Sequence, residues 1–465
     1  MPSSVRYPGR LCSFKKQVFV MNHFDESPST AGNTAPRILV DAFNLALPHG
    51  SGIKTYGITL LEAYHRLGFP VDILTAEPGV SGKSPLLDEV ILFERRRDKY
   101  RGLMSHRWLQ PLRDIWRLVS WPPVVEIAPR VTVPHPSDFL SRKKGELFQK
   151  LVNVPDIFHA ANRLFSLVER PVRLRVPVSP DIWHRTTLLP IMVPGVKTIT
   201  TIHDLIPLRL PFATLDNKKM FHKLVQWSVR HSDAIFTVSE HTKKDLVELY
   251  QVPENKVFVT YQACRFHRRE ENLNPEDDAA FLKSRRLEKD RFVLFLGNVE
   301  PKKNIKTLIR AMALLDPAYK LAIVGRKAWL WKDQLRELDG YLGKYRYEFL
   351  DYLPNDELSI MLRNATCLIF PSLYEGFGLP VLEAMNHGCP VICSNVSSLP
   401  EVGGDAVEYV DPYRHEDIRL ALERVIYSPE RRETMRALGY KQARRFSPEN
   451  YDRRLQAAYE KILAG

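Results

Sequence analysis

The sequence predicts an α/β protein made of two doubly wound domains in tandem, each built on a largely parallel sheet. Short apolar runs alternate with helical patterns twice over, which argues for right-handed βαβ units. A charged stretch poor in apolar residues, Arg265 to Asp290, separates the two series. With 465 residues, 44% of them hydrophobic, the chain is also too long for one ordinary core, so two domains are the default.

The first series opens with a strand at Arg37–Ala42, followed by an amphipathic segment at Ile53–Leu67 and a strand at Val71–Leu74. It resumes with strands at Asp181–Trp183 and Val196–His203, a helix at Leu215–Arg230, a strand at Ala234–Val238, a helix at His241–Tyr250 and a strand at Val257–Thr260. The second series reads Phe292–Leu296, helix Ile305–Leu315, Lys320–Val324, helix Leu330–Leu342, Tyr347–Leu350, helix Glu357–Arg363, Cys367–Phe370, a helix from Val381, and Val391–Cys393. Ser428-Pro429 and Ser447-Pro448 each place a capping hydroxyl before a proline in the first turn, so the chain ends in helices near Pro429–Arg445 and Pro448–Leu463. The expected organisation is a disordered leader over 1–35, with Met21 as an alternative start, and a first domain over 36–265 that carries a basic insertion at about 84–180. A second domain follows over 266–446, and the helix of 447–465 crosses back to the first.

Charge and cysteine usage narrow the class. The net charge is +13, and between Glu94 and Phe148 twelve Lys or Arg stand against six Asp or Glu, with Trp108, Trp116 and Trp121 among them. A basic, aromatic surface of this kind makes an anionic membrane surface a candidate partner through 94–148; a solvated insertion is the equal alternative. Nucleic acid is not expected, because no helix-turn-helix, zinc-finger or RNA-recognition signature accompanies the charge. No apolar run approaches the roughly 18 residues of a membrane span, and none follows the basic N-terminus at signal-peptide length. The five cysteines are few and odd in number, which fits a reducing cytosol. Cys389 and Cys393 lie in an apolar strand with no ligands spaced for zinc and read as core.

The chemistry concentrates in Pro371-Ser-Leu-Tyr-Glu375-Gly-Phe377-Gly378-Leu379-Pro-Val-Leu-Glu383. Here a strand leads into a glycine loop and a helix start, a combination that lets backbone N–H groups and the helix dipole meet a phosphate or sugar oxygen. Gly297-Asn298-Val-Glu-Pro-Lys302-Lys303-Asn304 repeats the arrangement after another strand and adds two ammonium groups suited to a diphosphate. A surface lysine pair beside a helix start is common, so that motif alone says little. Gly325, closing the next strand, would let a nucleotide lie near the backbone or simply make a tight turn. His203 ends a long apolar strand, where a lone imidazole is more often structural. His49-Gly50-Ser51-Gly52 follows the first strand, where doubly wound domains meet ligands, but it lacks the third glycine of a dinucleotide fingerprint.

Taken together, these residues resemble the retaining glycosyltransferases of family 4, which have the GT-B fold of two facing Rossmann-like domains, and among them the bacterial O-antigen and exopolysaccharide mannosyltransferases. The most specific element is the E-x7-E segment Glu375 to Glu383, continued by Gly388-Cys-Pro-Val-Ile and Leu399-Pro-Glu-Val-Gly-Gly-Asp-Ala. The resemblance covers Arg37 to the C-terminus outside the basic insertion. It implies that Glu375 contacts the donor sugar, Phe377, Gly378 and Leu379 offer backbone to sugar and phosphate, and Glu383 binds the donor ribose. Lys303 would hold the diphosphate, His203 would lie beside the transferring sugar, and Gly52 would face donor and acceptor. Many members carry Arg where this chain has Asn298; Lys302 supplies the second cation instead, without the bidentate fork of Arg.

The activity so implied is transfer of a hexose, mannose by subgroup resemblance, from a nucleotide diphosphate sugar to a glycan or lipid-linked saccharide hydroxyl in polysaccharide or lipopolysaccharide biosynthesis. No cofactor and no metal are expected, and the setting is cytoplasmic, peripheral on the inner membrane face. A nucleotide-sugar epimerase and a non-catalytic nucleotide-sugar-binding protein of the same fold are the alternatives.

Overall fold

The computed structural model describes residues 35–45, 52–77, 124–127, 147–264 and 274–464. The strands are β1 (Ile38–Asp41), β2 (Val71–Thr75), β3 (Val125–Ile127), β4 (Lys150–Asn153), β5 (Val172–Arg173), β6 (Ile182–Arg185), β7 (Ile191–Met192), β8 (Lys197–Ile202), β9 (Ala234–Thr237) and β10 (Val257–Val259), followed by β11 (Phe292–Leu296), β12 (Lys320–Val324), β13 (Tyr347–Leu350), β14 (Cys367–Phe370), β15 (Val391–Ser394) and β16 (Glu408–Val410).

They form two main sheets. The first has the order β10-β9-β8-β6-β1-β2-β4-β3, the second β13-β12-β11-β14-β15-β16. Every pairing in both is parallel except β3 against β4. Parallel strands covered by helices are buried on both faces; accordingly β1, β6, β9, β14 and β15 are buried at every position. In each sheet the chain starts at the centre, winds outward one way, then reverses, which leaves a topological switch point between β1 and β6 and another between β11 and β14. Ligands of open α/β sheets bind at the carboxyl ends of the strands at such a point. The two loops singled out by the sequence, after β11 and after β14, flank the second.

The segment 84–180, read as insertion, is not wholly inserted. β4 pairs parallel with β2, and β3 pairs with β4. A helix, Ile157–Val168, then packs Ile157, Phe158 and Ala161 against Leu39, Trp183 and their neighbours. These runs are three and four residues long and sit among charges, too short for periodicity to reveal. The rest of the basic stretch, with its three tryptophans, lies outside the described residues, as do the leader with Met21 and Cys12, and His49-Gly50-Ser51.

Most helices fall where patterning put them. The expected Leu330–Leu342 helix is instead two short pieces, Trp331–Leu335 and Leu338–Leu342. Pro380 stands in the first turn of helix Leu379–Asn386, with Gly378 as its N-cap in a left-handed conformation, which glycine adopts without steric cost. Ser428 caps Pro429–Ala443 by accepting from the Arg431 N–H. The final helix, Pro448–Ala464, does cross back: Arg66 pairs with Asp452 at 2.6 Å, and the hydroxyls of Tyr64 and Tyr459 meet at 2.5 Å. His184 Nδ1 joins that buried pair at 2.5 Å from Tyr64, and its Nε2 lies 2.8 Å from Thr201 Oγ1. Cys264, Cys367, Cys389 and Cys393 are all buried, as core thiols are.

Candidate functional site

The loops after β11 and β14 meet at a buried ion pair. Lys303 Nζ stands 2.6 Å from Glu375 Oε1 and lies over the Phe370 ring at 4.6 Å from its centre. Burial opposes the Glu375 charge, yet Lys303 and then Lys302 outweigh it and hold the carboxyl below its ordinary range. Lys302 Nζ lies 3.5 Å from Glu300 Oε1. Burial works against its charge too, but Glu375, Glu300 and Asp204 together raise it to about 12. Two ammonium groups, those of Lys302 and Lys303, stand at the switch point, in surroundings that strengthen their field.

Several backbone groups fix the Glu375 loop. The Glu375 N–H donates to Ser397 Oγ at 2.9 Å, and the Ser398 hydroxyl is shared between the Glu375 and Phe377 carbonyls, at 3.0 and 2.7 Å. The Phe377 ring is core, packed on Phe446 and Tyr261. The N–H groups of Phe377, Gly378 and Leu379 have no acceptor among the described residues, so three donors at a helix start remain for a ligand.

The first domain closes the site from the other side. His203 Nε2 donates to the Thr186 carbonyl at 2.9 Å, and its ring stands edge-on to Tyr56 at 4.8 Å. Burial drives the imidazole down to about 4, so it is neutral with Nδ1 as its acceptor. A Cβ at Gly376 would fall well inside contact distance of the His203 carbonyl oxygen; glycine there lets the Glu375 loop approach the end of β8. Burial pushes the neighbouring Asp204 carboxyl up against the pull of Lys302. Gly52 opens the first long helix, Gly52–Arg66, and its missing Cβ would stand 3.8 Å from Leu379. The Tyr374 hydroxyl donates to Asp245, and Glu401 accepts the N–H groups of Glu240 and His241 at 2.9 and 3.0 Å. Sequence reasoning missed these bridges, because each partner looks like an ordinary surface residue until the domains face each other.

Gly325 and Glu383 stand apart. A Cβ on Gly325, whose φ is +151°, would overlap the Gly297 carbonyl, so the close approach of the loops after β11 and β12 already requires a glycine. Glu383 lies in the second turn of its helix. Burial alone raises its carboxyl to about 8, and no described side chain bonds to it. Among the described residues no cluster of three or more His, Cys, Asp or Glu is placed to hold a metal ion, and no helix is long and apolar enough to cross a membrane.

Two facing doubly wound domains, with cations and free N–H groups at one switch point and a neutral imidazole opposite, present a cleft suited to an anionic ligand. Residues 277–442 match the family described as Glycosyl transferases group 1, and residues 50–264 match Glycosyltransferase Family 4. The chain is 33% identical over 273 residues to O-antigen chain mannosyltransferase B of Escherichia coli, covering 57% of this chain and 70% of that protein. It is 30% identical over 263 residues to the serotype-specific mannosyltransferase WbdA of Escherichia coli, of which it spans 32%. Sucrose-phosphate synthase from Thermosynechococcus elongatus shares its fold with a TM-score of 0.62 at 18% identity, over 92% of this chain and 99% of that one. HepE from Anabaena, solved with UDP and glucose, does so with a TM-score of 0.60 at 14% identity, over 91% and 99%. The chain belongs to glycosyltransferase family 4, with the GT-B fold, and is a glycosyltransferase.

Proposed function

We propose that the protein transfers mannose, with retention at the anomeric carbon, from a nucleotide diphosphate sugar to a hydroxyl of a glycan or lipid-linked saccharide in polysaccharide or lipopolysaccharide biosynthesis. The observation that carries this reading is the pairing of Lys303 with Glu375 beside Lys302, facing His203 across the domains. Negative charge grows on the diphosphate as the sugar–oxygen bond breaks. Lys302, Lys303 and the free N–H groups of the loop after β14 are preorganised to receive it. Glu375 positions the sugar and Glu383 the ribose. The departing phosphate oxygen takes the acceptor proton on the same face, and no protein nucleophile is used.

The names of the relatives, O-antigen mannosyltransferases, support mannose and the biosynthetic setting. The reading assigns no metal, because the two ammonium groups supply the charge a cation would. It places the protein in the cytoplasm at the inner membrane face, held through the basic residues of 94–148. An epimerase would interconvert donors with no acceptor present, and a binding protein would release no nucleotide. Incubation with GDP-mannose and separately with UDP-glucose, with and without a mannoside acceptor and EDTA, tests it. Acceptor-dependent release of GDP that EDTA leaves unchanged is expected, and GDP-mannose bound without turnover would refute it.

A further inference from the structure

A second feature adjoins the transfer centre. A cleft of about 340 Å³ opens between the domains, with residues 213–216 on one wall and Glu300, Lys302 and Trp329 on the other. This volume is at the lower end of the roughly 300–1,000 Å³ of small-molecule sites. Lys302 belongs to both places: it closes this cleft and feels the Glu375 and Asp204 carboxylates of the transfer centre. Whatever lies here meets Lys302, the chain neighbour of Lys303.

The lining identifies the occupant by its chemistry. Trp329 and Leu215, the latter 74% exposed, give an apolar wall. Asp216 and Glu300 give carboxylates, and the Thr214 hydroxyl is buried with no partner among the described residues. A pyranose has an apolar C–H face and a rim of hydroxyls, so it can lie on an indole while carboxylates accept its O–H groups. A phosphate fits poorly, since the lining of this cleft holds two carboxylates, Asp216 and Glu300, against one ammonium. Lys303 and the N–H groups of the loop after β14, which suit a diphosphate, do not line this cleft.

We infer that this cleft is the acceptor subsite, that it holds a neutral, unphosphorylated terminal hexose of the acceptor saccharide, and that Trp329 and Asp216 determine its specificity. The inference rests on the transferase reading for the identity of the sugar as acceptor, but its binding chemistry can be read without turnover.

Saturation-transfer NMR on the full chain with GDP bound, using methyl α-mannopyranoside and mannose 1-phosphate as probes, tests it. The neutral glycoside should bind at least about tenfold more tightly than the phosphate. Trp329→Ala and Asp216→Asn should each weaken the glycoside by about tenfold or more, and Trp329→Phe should restore most of the loss. GDP-mannose affinity, measured by calorimetry, should stay at the wild-type value in all three. No glycoside binding by the wild type, binding indifferent to both positions, or an equal loss of GDP-mannose affinity would each overturn the assignment. Glycoside binding that depends on Trp329, in a protein that never turns over GDP-mannose, would uphold the cleft and refute the transferase reading.

Discussion

Lys303 Nζ and Glu375 Oε1 lie 2.6 Å apart across the switch point of the second sheet, although 72 positions separate them in the chain. Each is the counterion of the other. A donor diphosphate beside Lys303 would add a second anion to that cation, with Lys302 next to it. Lys303→Ala should therefore lower kcat by about 10²–10³, the cost of removing one preorganised donor to developing charge. It should also destabilise the fold by about 3 kcal/mol, because Glu375 is left buried without its partner. The double variant Lys303→Ala/Glu375→Ala should regain part of that stability in urea titrations and none of the turnover.

Gly376 lets two domains touch. An added methyl would meet the His203 carbonyl, backbone that cannot swing away, so Gly376→Ala should cut kcat by more than tenfold. Circular dichroism should stay native and the radius of gyration in solution scattering should rise. A variant that is native, unexpanded and fully active would remove the claim that this contact sets the geometry.

Glu383 makes donor binding depend on pH. Its carboxyl is raised by burial to about 8, and a ribose diol that donates to it favours the ionised form. Affinity for GDP-mannose, whose diphosphate does not titrate in this range, should therefore rise from pH 6 to pH 8.5 and then level off. Glu383→Gln should flatten the profile. The same shift acts oppositely on folding stability: the folded carboxyl resists ionisation, so its contribution is full below the unfolded value and fades as pH rises through about 8. Nucleotide-induced shifts in Tm at the two pH values check both signs.

Glu401 caps a helix of the other domain through the N–H groups of Glu240 and His241. Glu401→Ala should cost about 1 kcal/mol of stability, as removal of an N-terminal acceptor does. Its effect on kcat should be smaller than that of Gly376→Ala. A loss of kcat without any loss of stability would mean that Glu401 touches substrate instead.

What was legible in the sequence follows from distance along the chain. β11, β14 and the loops behind them announce themselves by apolar runs ending in Gly297 and Pro371, so Lys302, Lys303, Glu375 and Glu383 could be named from local pattern. The crossing helix was legible as a helix, from Ser447-Pro448, but its anchor was not. Tyr64, His184 and Tyr459 lie up to 395 positions apart, and nothing in the neighbourhood of any of them signals a buried polar cluster. The same holds for Tyr374 with Asp245, and for Ser397 and Ser398, which hold the Glu375 loop from a separate turn. β3 and β4 were hidden for another reason: they are short and embedded in charge, and only their pairing with β2 makes them strands. Gly325 was legible as important, while the cause, crowding by Gly297, required the two loops side by side.

In the proposed reaction this site breaks the sugar–phosphate bond and forms the new glycosidic bond on the same face. The direct measurement is ¹H NMR of the product formed from GDP-mannose and methyl α-mannopyranoside, followed from the first turnovers. A new α-configured mannosyl linkage should appear together with GDP, and about 10²–10³-fold more slowly in Lys303→Ala. A β-configured product, or GDP released with no new linkage at any acceptor concentration, would contradict it.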